Sequence, residues 1–163
     1  MTEVSMTAIA GRASLSRQTV YSNFANVEAA VCAHLVDEID DMVEHIDSRL
    51  ATMGDPSSQF REFIRMAMHR FAGHEFIVSL QNAMSPDTEA IVRAHLSHAQ
   101  RVLGRIIDEG VEVGDFLTHM PSEAVAETVF HMLGGLAPFI AHGVDPDETA
   151  DRVATMLLDG LRA

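Results

Sequence analysis

The placement of proline and glycine between apolar segments is the sequence feature that most constrains the fold. Proline follows a good helix-capping residue three times, at Asp55-Pro56, Ser85-Pro86 and Asp145-Pro146. Glu148 follows Asp145 by three residues, as in a capping box, and Met120-Pro121 marks a fourth helix start. Glycines 54, 73 and 143 stand where the preceding helices should end. The chain is therefore divided into helix-sized segments.

Apolar residues recur every three or four positions within these segments. In the first long segment they form one helical stripe, made of Val31, Leu35, Ile39, Met42, Val43, Ile46 and Leu50. No segment shows the sustained period-two alternation of a half-buried strand. The pattern predicts an all-α protein with helices over residues 6–12, 16–24, 27–52, 56–72, 75–84, 86–113, 121–142 and 146–161.

Charge is distributed unevenly along the chain. There are 24 acidic residues against 11 basic ones, all of them arginine, for a formal net charge of -13. Residues 1–25 carry Arg12, Arg17 and Glu3, a formal charge of +1, which leaves -14 for the rest. This balance excludes a protein coated in positive charge but leaves room for a local nucleic-acid site. With 47% hydrophobic residues, the chain can bury a sizeable core.

Several chemistries find no support in the sequence. The single cysteine, Cys32, excludes an intramolecular disulfide and a cysteine-based zinc cluster, and its apolar helix predicts burial. His95 and His98 have a chelating spacing, but no third ligand is identifiable, so we expect no metal. Nucleophile-elbow, phosphate-loop and HExxH motifs are missing, and we expect neither an enzyme nor a cofactor. No apolar run approaches the roughly 18–20 residues of a membrane span, and no signal peptide is apparent, which predicts a cytoplasmic protein without a membrane partner.

Residues 5–24 have the layout of two short helices joined by a tight turn. Ser5 can cap the first helix, and Ser16 can cap the second, on which Val20 and Phe24 share one face. Polar side chains cover the other faces of the second helix. This is the helix-turn-helix arrangement, whose second helix enters the major groove of DNA.

The stretch Ile9–Phe24 resembles the DNA-binding motif of the tetracycline-repressor (TetR) family of bacterial transcriptional regulators. The resemblance implies that Arg17 and Gln18 read bases and that Thr19, Tyr21 and Asn23 contact phosphates. The full predicted DNA-binding set is Ser16, Arg17, Gln18, Thr19, Tyr21, Ser22 and Asn23. The chain departs from the family pattern at three positions. Ser14 replaces the turn glycine and must tolerate a left-handed conformation, Asn23 replaces a histidine, and Val27 replaces a lysine.

The C-terminal part also resembles this family, through Ile106–Phe116 and Asp151–Leu161. The resemblance implies a DNA-binding domain over residues 1–45 and a ligand-binding and dimerisation domain over residues 46–163. Homodimers of the family pair their last two helices, for which the apolar residues here are Val129, Met132, Leu133, Leu136, Val153, Met156, Leu157 and Leu161. The implied effector pocket would use Phe63, Met66, Arg70, Phe76, Met84, His98, Arg101 and Phe130. Pro138 should kink or end its helix.

The family places another helix before the motif, whereas only residues 1–4 precede Ser5. We therefore expect weak DNA binding, with a shallow salt dependence because few cations lie near the motif. Two hypotheses remain open. The first is a dimeric repressor that binds a palindromic operator and is released by a small apolar or amphipathic effector. The second is a truncated dimeric ligand-sensing or interaction protein that no longer binds DNA.

Overall fold

The computed structural model describes residues 5–72 and 84–161 and is all-α over them, as the sequence predicts. The helices are α1 (Met6–Arg12), α2 (Arg17–Asn23), α3 (Val27–Leu50), α4 (Pro56–Ala72), α5 (Pro86–Glu112), α6 (Ser122–Ala141) and α7 (Pro146–Leu161). Their bounds lie within two residues of the predicted ones. The predicted helix over residues 75–84, including Phe76, falls almost wholly outside the described residues. The predicted domain division at residue 45 falls inside the continuous helix α3.

The helix starts form because polar side chains cap them locally. Asp55 Oδ1 accepts from the Ser58 N–H at 2.8 Å, and Asp145 Oδ1 accepts from the Glu148 N–H at 2.7 Å. The Glu148 carboxylate bonds Arg152 at 2.5 Å, one turn further along α7. The described contacts therefore include the Asp145 half of the predicted capping box, while Glu148 serves an ion pair on the helix surface.

Two separate apolar clusters hold the protein together. The larger one lies among α3–α7, where the inner helix α4 contributes Phe60, Phe63, Ile64 and Met68, each at most 1% exposed. The smaller one joins α1 to α2 through Met6, Ala10 and Val20, with Ile9, Phe24 and Val27 packed against it. Residues 5–25, here called the head, thus have their own small core, and Val27 connects it to the first turn of α3.

Helix α6 differs from expectation in two respects. It continues through Pro138 to Ala141, so the proline does not end it, and it stops one turn later where the Pro138 carbonyl accepts from the His142 N–H at 3.1 Å. Its 20 residues are also long and apolar enough to cross a membrane by length and composition. The expectation that the chain contains no segment of this length and apolarity is therefore wrong for α6. Ala126, Val129 and Leu133 bury one face of α6 in the larger core, as in a core helix.

Candidate functional site

The turn between α1 and α2 sets the orientation of the second helix. Ser14 has φ 56°, the left-handed conformation that the sequence analysis anticipated at this position. The Leu15 N–H then donates to the Ala10 carbonyl at 3.0 Å, which closes the turn on α1. Ser16 Oγ caps α2 by accepting from the Thr19 N–H at 3.0 Å. Hydrogen bonds between residues at most five positions apart therefore close the turn and cap α2, and the apolar cluster between α1 and α2 completes the helix-turn-helix.

All seven residues predicted to contact DNA are exposed on or beside α2. Four of them are partly engaged within the helix: Ser16 caps it, Asn23 Nδ2 donates to the Thr19 carbonyl at 2.7 Å, and Ser22 Oγ donates to the same carbonyl at 2.8 Å. Arg17, Gln18 and Tyr21 make no side-chain hydrogen bond or ion pair with the described residues. These three side chains therefore have their polar groups available for a partner. The side chains of Ser16, Ser22 and Asn23 mainly stabilise the helix itself, a role that residue type alone does not predict.

The residues predicted for an effector pocket fall into separate places. Phe63 and Phe130 meet inside the larger core with ring centroids 5.8 Å apart, and Met66 packs against the same core. Arg70 pairs with Glu38 of α3 and donates to its carbonyl at 3.1 Å. The other polar residues lie on the exposed side of α5. His98 Nε2 is 3.8 Å from an Asp47 oxygen, and Arg101 donates to Ser97 Oγ at 3.0 Å.

The last two predicted pocket residues are Met84 and Phe76. Met84 is half-buried before α5, and Phe76 lies outside the described residues. Phe63 and Met66 lie on the inward side of α4, as the apolar pattern predicts, but such a pattern does not distinguish a lined cavity from a filled core. The aromatic pair between α4 and α6 packs within the larger apolar cluster.

An open groove instead lies between α3 and α5, close to the head. Its volume is about 470 Å³. The described residues that line it are Asn26, Glu28, Ala29, Cys32, Ala33, Val36, Asp37, Ser85, Thr88, Ile91 and His95. The groove exists because Ala29 and Ala33 are too small to fill the space between the two helices. The two alanines spaced four residues apart, beside the apolar stripe of α3, are the sequence signal for it.

Polar contacts fasten α3 and α5 side by side in parallel, from one end to the other. At the head end, the Ser85 N–H donates to Glu28 Oε1 at 2.7 Å. This hydrogen bonding by Ser85 lowers the pKa of the Glu28 carboxyl, which is therefore ionised at neutral pH. Further along, His95 Nδ1 lies 2.8 Å from Asp40, and Arg105 donates to Asp47 at 2.9 Å. The groove lies between the Glu28–Ser85 and Asp40–His95 contacts, in the part of the helix pair nearest the head.

The two histidines with chelating spacing take part in these contacts. His95 meets Asp40, and His98 approaches Asp47. Over residues 5–72 and 84–161, no three His, Cys, Asp or Glu side chains are grouped so as to hold a metal ion. Cys32 is 8% exposed, which confirms its predicted burial.

One carboxylate holds the C-terminal end of α3 to α4, at the end of α3 remote from the groove. Glu62 accepts from Arg49 at 3.0 Å and from Arg65 at 2.6 Å and 2.9 Å. The bonds to Arg65, opposed by burial and reinforced by Arg49, lower the pKa of Glu62 to about 2. The sequence analysis missed this cluster because Arg49 and Glu62 lie on different helices.

The residues predicted for a dimer interface differ in exposure. Val129, Leu133 and Leu161 are buried within the chain. Half-buried positions on α6 and α7 are Met132, Leu136, Val153 and Leu157. Met156 is 58% exposed, and Phe139, which the sequence analysis did not select, is 61% exposed. The last two helices therefore present apolar side chains to solvent.

Comparisons with known proteins agree with this architecture. Residues 53–161 match the family model described as "Tetracyclin repressor-like, C-terminal domain". No curated protein matches the chain in sequence. Among solved structures, the fatty acid degradation regulator FadR from Bacillus halodurans has a TM-score of 0.84 at 18% identity, over 99% of this chain and 90% of that one.

Two further structures show bound ligands. FadR from Bacillus subtilis, in complex with stearoyl-CoA, has a TM-score of 0.84 at 14% identity, over 98% of this chain and 89% of that one. AibR, in complex with isovaleryl coenzyme A and operator DNA, has a TM-score of 0.67 at 17% identity, over 97% and 86% of the two chains. Likeness at these identities shows the fold alone. The match to the family model extends over most of the chain, which therefore belongs to the TetR family of transcriptional regulators.

Proposed function

We propose that this protein is a ligand-responsive repressor that binds a palindromic operator as a homodimer in the cytoplasm, without a membrane partner. The observation that carries the proposal is the exposed face of α2. A serine cap and a left-handed turn present Arg17, Gln18 and Tyr21 to solvent with no described side-chain partner. A guanidinium, an amide and a phenol are suited to base edges and phosphate oxygens in a major groove.

The apolar residues left exposed on α6 and α7 support the homodimer. Phe139 and Met156 are both more than half exposed, and burial of such side chains stabilises association. Pairing α6 and α7 with their copies about a two-fold axis would place two heads on one duplex. That symmetry suits an operator made of two inverted half-sites.

The effector is proposed to be a small apolar or amphipathic molecule. Two structurally similar proteins are described with stearoyl-CoA and isovaleryl coenzyme A, both amphipathic molecules. In the mechanism proposed here, the effector favours one arrangement of α3, and α3 carries the head. Operator affinity then falls because the ligand and DNA prefer different head positions.

The test is the affinity of purified protein for sheared genomic DNA, measured in competition with a non-specific polymer. Arg17→Ala and Tyr21→Phe should each weaken specific binding by roughly tenfold, the effect of losing one contact of about 1–3 kcal/mol. Arg93→Ala is the matched control, since Arg93 is exposed on α5 and pairs with Glu89 of the same helix. Unchanged binding in both α2 variants would refute the assignment of α2.

A second function, a dimeric ligand-sensing protein without DNA binding, is favoured by the charge of the head. Arg12 and Arg17 are the only basic residues within residues 5–25, and Val27 begins α3 where the resembled motif has a lysine. This alternative predicts that the unmodified protein binds genomic DNA no better than the Arg17→Ala variant does.

A further inference from the structure

The α3–α5 groove has the volume of a small-molecule site and a mixed apolar and acidic lining. Its volume of about 470 Å³ falls within the range of ligand pockets. Apolar walls come from Ala29, Ala33, Val36 and Ile91. It is distinct from the aromatic interior between α4 and α6, where Phe63 and Phe130 contact each other.

The charges along the groove are negative. Glu28 and Asp37 line it, and no arginine is among its described lining residues. His95 is the basic side chain among these described lining residues, and it faces Asp40 at 2.8 Å. A negative rim above apolar walls attracts a positively charged amphipathic molecule and repels an anionic one.

Cys32 places a thiol in the groove wall. Its thiol is free, and the residue is 8% exposed. The chain contains one cysteine, so any thiol reaction reports on this position alone. A ligand seated between the helices would cover the thiol.

We propose that the α3–α5 groove binds an amphipathic organic cation, with the apolar part between Ala33 and Ile91 and the positive charge beside Glu28 and Asp37. This places the effector of the proposed repressor in a groove next to the head. An acyl-CoA, with its several phosphates, would be repelled from this rim.

Occupation of the groove would act directly on the head. Asn26 caps α3 by accepting from the Ala29 N–H at 2.8 Å, and Val27 in the same turn packs against the head cluster. The hydrogen bond from Ser85 to Glu28 holds this turn to the start of α5. A cation beside Glu28 competes for its carboxylate, and the ligand body separates the two helices. The regulatory part of the inference rests on the proposed function, whereas the binding part does not.

The experiment measures alkylation of Cys32 by iodoacetamide in the full chain without DNA, so it is independent of operator binding. The probe is octyltrimethylammonium below its micelle concentration, with octanoate and 1-octanol as the matched anion and neutral molecule. At about ten times its Kd, the cation should slow alkylation roughly tenfold by simple occupancy. Octanoate should give no protection, and 1-octanol should require higher concentrations than the cation.

Charge-neutral variants separate groove binding from general adsorption. Glu28→Gln combined with Asp37→Asn should raise the Kd of the cation roughly tenfold, while the glutamine oxygen can still accept from Ser85. Asp41→Asn combined with Glu44→Gln is the matched control, because both residues are exposed on α3 and neither lines the groove. The Kd of the cation for this control variant should equal its Kd for the unmodified protein.

Three results would overturn the inference: no protection by the cation, equal protection by octanoate, or an equal Kd in the two double variants. Protection of Cys32 in a protein that fails to bind DNA would leave the groove assignment standing and remove only its regulatory role. Binding to DNA without protection of Cys32 by the cation would refute the groove assignment and leave the proposed DNA-binding function standing.

Discussion

At the scale of single residues, Ser14 and Glu62 mark the limits of what the sequence can reveal. The left-handed conformation of Ser14 was expected because the resembled motif has glycine in the turn, and φ 56° confirms it. The bonds of Glu62 to Arg49 and Arg65 were not expected, because residue spacing cannot show which side chains of two different helices will meet.

Glu62 should make the stability of the protein depend on pH in the acidic range. Its pKa of about 2 lies below the ordinary value of 4.5, so its contribution is complete above the ordinary value and is lost as the pH falls towards about 2. Glu62→Gln should lower the free energy of unfolding at neutral pH by about 1–3 kcal/mol, because two guanidinium groups lose a charged partner.

Urea unfolding at a series of pH values checks this expectation. The difference between Glu62→Gln and the unmodified protein should shrink as the pH falls below about 4.5. Glu44→Gln, an exposed position on α3, serves as the control and should show a small difference at every pH. A difference as large at about pH 3 as at neutral pH would contradict the assigned role of Glu62.

At the scale of elements, helix bounds were largely predictable and helix packing was not. Caps such as Asp55 and Asp145 act on N–H groups three residues away, so they can be identified in a single sequence. The groove depends on the side-by-side placement of α3 and α5. That placement results from contacts between residues more than 50 positions apart, such as Asp40 with His95.

Gly110 allows Phe116, just after α5, to pack directly against the last turn of that helix. A Cβ atom there would collide with the ring of Phe116, which is buried edge-to-face against Phe60 at 6.1 Å between centroids. Gly110→Ala should therefore destabilise the protein by about 1–3 kcal/mol, measured as a lower urea midpoint.

Gly104→Ala is the matched control on the same helix. Apart from its chain neighbours and the adjacent backbone of its own helix, no described heavy atom lies within 4 Å of a Cβ added at Gly104, so alanine should stabilise α5 by about 0.5–1 kcal/mol. Equal changes in the urea midpoint for Gly110→Ala and Gly104→Ala would contradict the role assigned to Gly110.

At the scale of the whole molecule, the position of charge matters more than its total. Residues 26–163, behind the head, carry a formal charge of -14, while the head itself holds Arg12 and Arg17 and no acidic residue. A dimer would present two copies each of Arg12 and Arg17 to DNA. We expect a slope of log K against log salt no steeper than about -4, at about 0.9 per phosphate neutralised.

Fluorescence anisotropy of labelled DNA over a range of salt concentrations measures this slope. Arg12→Ala should make it shallower by about 2 in the dimer, because one cation is lost from each head. A slope far steeper than about -4 would show that cations outside the head contact the duplex.

The central claim, that paired heads read DNA through α2, is tested most directly by selecting duplexes from a random-sequence pool with the purified protein. The account predicts enrichment of an inverted repeat by the unmodified protein and by Arg93→Ala. It also predicts no enrichment by a variant carrying both Arg17→Ala and Tyr21→Phe. The absence of an enriched sequence, or the same sequence enriched without Arg17 and Tyr21, would contradict it.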